Sequence, residues 1–226
     1  MDFGKARREK PTVFANLAGM MVDALEGAGA RLDQDGAAGE APLPNPAAAV
    51  AMAERLVESL EAAQSLLTGV GDLRYDERLK KVRAAVQDMV RRDVLAPAKA
   101  QIVPALPPPT TAGAPLAAPD EAKQESAEEC ARAMRRCERF AGSLALAPDV
   151  AQTLGEISRN VERDVAQWTA KLKERGVVGE DEEEAAMLSL AYAVRILELT
   201  AGASRADALF QGALTTLQGE QSSARA

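Results

Sequence analysis

Residues Ala185–Ala201 read AAMLSLAYAVRILELTA, and only Arg195 and Glu198 within them carry charge. Their apolar positions fall on two helical stripes, Met187, Leu190, Val194, Leu197 and Ala201, and Leu188, Tyr192, Ile196 and Leu199. A helix with so wide an apolar face has to be covered on more than one side. Both flanks fit helix ends. The carboxylates of 180–184 suit the partly positive amino terminus, and Gly202 suits the left-handed turn past the carboxyl end. This stretch is therefore expected to be the centre of a helical bundle, with both stripes covered inside one domain.

The rest of the chain supports an all-α fold. Aromatic residues make up 3% of the 226, and much of the 47% hydrophobic content is alanine, which favours close-packed helices over sheets or deep ligand cavities. Alternating β-branched and aromatic runs are missing. The expected organisation is a basic tail and short amphipathic helix (1–28), a flexible linker (29–46), a helical hairpin (47–96), a Pro/Ala-rich linker (97–119), a helical bundle (120–219) and a terminal tail (220–226). In the hairpin, Asn45 offers a cap and Pro46 a first helical position. Pro97–Pro119 contains a bare PxxP at Pro104–Pro107 and is expected to be a semi-extended spacer outside any core. Its segment QIVPAL (101–106) is more apolar than a spacer needs, and lying along a groove is the alternative. In the second half a capping box at Ser126–Glu129 marks a helix start. Val150, Leu154, Ile157, Val161, Val165, Trp168 and Leu172 then form the most regular apolar seam. Four helices with short turns imply an up-down C-terminal bundle.

Composition excludes several chemistries. Histidine is absent, which removes imidazole general bases, Ser-His-Asp and Cys-His nucleophiles, and imidazole metal sites. Cys130 and Cys137 lie two turns apart on one helix, about 10 Å, too far to bridge; they read as small buried apolar residues. Five adjacent carboxylates at 180–184 point all round a helix and cannot converge on one ion. No catalytic residue, cofactor or metal ligand is assigned. The net charge of −7 argues against nucleic acid as a partner. No stretch reads as a membrane span or a cleavable leader.

The expected function is a non-catalytic helical interaction protein, an adaptor, scaffold or export-type chaperone of the cytoplasm. Its candidate partner-binding residues are Phe14, Leu17, Met21 and Leu25 on the first helix, with Leu56, Leu60, Leu67, Leu79, Val82 and Val86 on the hairpin. Two amphipathic helices bury too little to fold alone, so the hairpin is expected to dock on the bundle or to pair with a second copy through 47–96. Two alternatives use other residues. A His-free helical enzyme such as a phosphatase would work through carboxylates and amides such as Asp164 and Gln167. A membrane-peripheral protein would be held by residues 1–27, where Lys5, Arg7, Arg8 and Lys10 precede an amphipathic helix.

Overall fold

The computed structural model describes residues 6–37, 45–68, 73–106, 116, 118–175 and 180–218, and among these the fold is all-α with no strand. The helices are α1 (Ala6–Ala37), α2 (Pro46–Leu67), α3 (Leu73–Val90), α4 (Ala96–Ile102), α5 (Glu121–Ala141), α6 (Ala147–Arg175), α7 (Glu180–Ala201) and α8 (Ala203–Gln218). They divide between two compact units, Met1–Val94 with Phe140–Leu146, and Leu95–Arg139 with Ala147–Ala226.

In the first unit α1 begins inside the expected basic tail and runs past the expected end at 28. It begins before Pro11, which forgoes only the bond to the Arg7 carbonyl near the helix start. It continues through Gly27 and Gly29 to Ala37, because Gly29 serves helix packing and ends nothing. A Cβ at Gly29 would stand 3.5 Å from the Val82 Cα, and one at Gly19 would stand 3.1 Å from the Tyr75 hydroxyl. Both glycines face α3, at ordinary contact distance for Gly29 and tighter, against the tip of Tyr75, for Gly19. Gly19 meets Tyr75, Asp23 and Glu26 meet Arg78, and Gly29 meets Val82, so both helices ascend together and are parallel. Packed also on α2, α1 occupies the seam that the hairpin needed covered.

α2 starts as its sequence dictates. The Asn45 carboxamide oxygen accepts the N–H groups of Ala47 (2.7 Å) and Ala48 (3.2 Å), with Pro46 in the first turn. Ala49, Val50, Ala53, Val57, Leu60, Ala63 and Leu67 then face inward. The turn Gly142–Ala145 completes this unit. There Ala145 adopts φ 54°, Ser143 donates to Glu61 and Gln87 donates to the Leu144 carbonyl.

α3 passes into a π-turn, Arg91–Leu95, that holds the one fully buried carboxylate among the described residues outside α7. Asp93 accepts both the Nε and an Nη of Arg92, at 2.7 and 2.8 Å, a two-pronged pairing that offsets loss of hydration. π-turns carry one residue more than an α-turn and recur at functional positions.

The segment expected to be an extended spacer opens as helix. α4 is followed by a 3₁₀ turn, Val103–Ala105, and Pro97, Ala98, Ile102, Ala105 and Leu106 are buried. Pro97 closely follows the π-turn and Pro104 lies in the 3₁₀ turn, so each sits where the α-helical hydrogen-bond ladder is already interrupted. The apolar QIVPAL therefore packs in the second unit, which was the alternative for it. Pro107 and the rest of 107–115 lie outside the described residues. Leu116 is buried again, and its N–H donates to buried Glu182 at 2.8 Å.

Asp120, not Ser126, caps α5, accepting from Ala122 N (3.1 Å) and Lys123 N (3.3 Å), so the helix starts six residues earlier than expected. Those N–H bonds, led by that of Lys123, hold the Asp120 carboxyl below the usual range. Every member of the Val150–Leu172 seam on α6 is buried. Ser158 donates to Thr200 across α6 and α7, and Arg205 of α8 grips Glu162 of α6 with two hydrogen bonds. Three links join 116–128 to 182–195 at nearly constant offset, which sets that segment and α5 parallel to α7: Leu116–Glu182, Gln124–Tyr192 and Glu128–Arg195. Gly202, at φ 92°, turns the chain from α7 into α8.

Two stability outcomes follow from these contacts. Gly29→Ala should be neutral or slightly stabilising, whereas Gly29→Leu should cost about 1–3 kcal/mol by forcing α1 off α3, read from urea unfolding. Arg92→Ala strands the buried Asp93 carboxylate and should cost about 1.5–3 kcal/mol in the same assay.

Candidate interaction surface

Along α1, 100° per residue places Ala18, Val22, Leu25, Gly29 and Leu32 on one inward line, and all of these are buried. On one flank, Arg78 of α3 binds Asp23 at 2.5 Å and Glu26 at 2.6 Å. The hydrogen bond from Arg78 holds the Glu26 carboxyl below its usual range. The guanidinium also sits 5.9 Å from the centroid of the Tyr75 ring. This flank is closed by charge.

The other flank is apolar and open. Leu17 is 47% and Met20 70% exposed, Ala24 is exposed, and Met21 and Ala28 are half-buried. With the inward line they make an apolar arc of roughly 200°, wider than one packed face requires. Arg31 bounds it, its Nε donating to the Gly27 carbonyl. Unbranched methionine adapts to differently shaped partners, so a Leu–Met edge suits protein contact.

The structure separates the ten candidate residues. Leu25, Leu60, Leu67, Leu79, Val82 and Val86 are buried inside the first unit and are not offered to a partner. Leu56 and Met21 are half-buried, and Leu17 is exposed. The Phe14 side chain lies outside the described residues. The heptad positions of the hairpin are inward because α1 covers them, which periodicity alone cannot reveal. Met20, the most exposed large apolar residue described, was missed. Its signal was present: it extends the Leu17–Ala24 line on the flank away from Asp23. Met52, 42% exposed on α2, was also missed.

In the second unit, α7 departs from the expectation that both its stripes are covered. Ala185, Ala186, Ser189, Leu190, Tyr192, Ala193, Ile196 and Leu197 are buried, but Met187 and Leu188 are 43% and 50% exposed. The neighbours of α7 leave its outer side bare over the first turns. Arg195 binds Glu198 at 2.7 Å and lies 3.7 Å from Glu128 on α5, its cross-helix partner.

An open groove of about 500 Å³ lies in this unit between α4 and the start of α5, lined by Ala100, Gln101, Pro104, Ala105, Lys123 and Ser126 among others. Its polar groups are engaged with one another. Gln101 accepts from Cys130 Sγ (2.8 Å) and Ser126 (3.4 Å), and Lys123 pairs with Asp120. Asp164 pairs with Arg163 at 3.1 Å, while Gln167 stands exposed. Among the described residues no group of three or more His, Cys, Asp or Glu side chains is arranged to hold a metal ion, and no helix is long and apolar enough to cross a membrane. Comparison with protein families, curated proteins and solved structures finds no match to this chain.

Burial pushes the thiols up, to about 11 for Cys130 and about 12 for Cys137, so both stay protonated and unreactive at neutral pH. In native protein at pH 8 neither should react with a disulfide reagent within minutes, and both should react on unfolding in guanidinium. The unfolded chain releases these protons near pH 9 and the folded chain only above 11. These two groups should therefore lower stability as pH rises through that interval, seen as a falling melting temperature.

Proposed function

We propose that this protein is a non-catalytic helical interaction protein of the cytoplasm, an adaptor, scaffold or export-type chaperone that presents helix faces to protein partners. The observation that carries this reading is the open flank of α1, where Leu17 and Met20 stand in water beside the packed helices of the first unit. Leu17 and Met20 adjoin exposed Ala24 and half-buried Met21 and Ala28, and it is contiguous exposed apolar surface, as opposed to single exposed residues, that marks contact sites. The exposed Met187 and Leu188 on α7 supply a second such edge in the second unit. Two modules in one chain, each with its own edge, suit a protein that brings partners together, because the second binding event becomes intramolecular.

The test is affinity capture of the whole chain from its own cell extract, with quantitative mass spectrometry, comparing wild type with L17E/M20E and with M187E/L188E. Each variant places charge on an already exposed position and should retain the wild-type circular dichroism spectrum and melting curve. Partners enriched by wild type should fall by about tenfold or more in one variant or the other. Retention of every partner by both variants would overturn the reading.

A further inference from the structure

The outer side of α7 carries one continuous stripe. Positions three and four apart on a helix are neighbours. The exposed pairs Glu180 with Asp181, Glu183 with Glu184, and Met187 with Leu188 therefore stack turn upon turn, and exposed Ala191 follows one turn on. The stripe is acidic over two turns and then apolar. Thr200, which receives the Ser158 hydroxyl of α6, lies nine positions from Ala191 and hence on the opposite side of α7. α6, with Lys171 and Lys173 near its end, is thus behind α7, and the stripe faces away from it.

The start of the helix uses only part of this charge. A helix amino terminus carries about half an elementary charge, and buried Glu182 already faces inward on the Leu116 N–H. Among the described residues no hydrogen bond or ion pair engages Glu180, Asp181, Glu183 or Glu184. α5 runs beside α7 and adds to the field. The near-constant offset of the links between them brings Glu121 level with Leu188, on the flank of α5 that holds Gln124 and Glu128. Glu121 is exposed and equally unengaged among the described residues. The cations beside this surface are already paired, Lys123 with Asp120, and Arg195 with Glu198 and Glu128.

We propose that this stripe docks a basic amphipathic helix of another protein. Apolar side chains of the partner cover Met187, Leu188 and Ala191, and its Lys or Arg side chains meet Glu121 and the four exposed carboxylates of α7. The proposal rests on the reading of this protein as one that presents helix faces, and it states the partner of the α7 edge. Charge decides the occupant. A neutral or acidic segment laid on Met187 and Leu188 would strip water from the neighbouring carboxylates and return nothing, whereas a cationic one replaces that water with charge-assisted hydrogen bonds. A second copy of this chain, of net charge −7, is repelled by the same field. The order along α7 also sets the partner's pattern, a basic stretch of two turns adjoining an apolar turn on one helix face.

Two synthetic helical peptides with the same leucine face test this, one carrying lysine and arginine on the adjoining turns and the other glutamate. Fluorescence anisotropy with the full chain should show saturable binding of the cationic peptide, weakened by at least about tenfold at high salt, and no binding of the acidic one. E183Q/E184Q, which leaves the apolar residues in place, should weaken binding by about threefold or more. M187E/L188E should weaken it by at least about tenfold although it adds two carboxylates; attraction by charge alone would grow in that variant. L17E/M20E should bind as wild type does. Each variant changes exposed positions and should keep the wild-type helicity and melting curve. Several results would overturn the proposal: no binding, binding that M187E/L188E leaves unchanged or strengthens, equal binding of the acidic peptide, or loss in L17E/M20E alone. A dimer of the full chain in sedimentation equilibrium that M187E/L188E dissociates would also overturn it, since a second copy would then cover the stripe. If neither peptide binds while M187E/L188E still loses protein partners in the capture experiment, the basic occupant falls and the broader reading of function stands.

Discussion

The contact on which most else depends is the close approach of α1 to α3 at Gly29 and Gly19. A hairpin of two amphipathic helices leaves its apolar seam wet and cannot stand alone. α1 closes that seam, with Arg78 bridging Asp23 and Glu26 along one margin. Fixing the height and rotation of α1 in this way decides which of its apolar residues are consumed in the core and which are left over. Leu17 and Met20 are left because the arc is wider than the seam.

The second unit solves the same problem differently. Its core is built on α6, whose regular seam ends in Trp168 and Leu172, and on α7, apolar over most of its circumference. Polar links set the heights: Ser158 with Thr200, Arg205 with Glu162, and the three contacts that track from Leu116 to Glu128 along α7. Glu182 illustrates the economy of the arrangement. It belongs to an acidic run that favours a helix start, yet it is the buried member of that run and receives the Leu116 N–H.

Local signals were legible in the amino acids, and coverage was not. Asn45-Pro46 starts a helix, Gly202 ends one, and the α6 seam is buried throughout, each for reasons contained within a few residues. What faces what depends on residues far apart in the chain. The candidate contact positions on the hairpin looked available because nothing in 47–96 announces that α1 lies on them. Met187 and Leu188 looked buried because their periodicity matches residues that are. Prolines at 97 and 104 suggested an extended spacer, since composition does not distinguish a proline seated where one helix type gives way to another from one in a polyproline run. The π-turn at 91–95 has no periodic signature of its own, although the spacing of Tyr75, Leu79, Val82, Val86 and Met89 does carry Asp93 onto the inward stripe.

The treatment of the two thiols has a further effect. Side chains that ordinarily change charge around neutrality are histidine, which this chain lacks, and cysteine, here sequestered and shifted far to the alkaline side. The carboxylates, guanidinium groups and ammonium groups that remain ordinarily titrate well away from pH 7. Their pattern therefore behaves as a nearly permanent field across the range of acidity met inside cells. Contacts governed by that field respond to ionic strength and to covalent modification, and hardly at all to acidification.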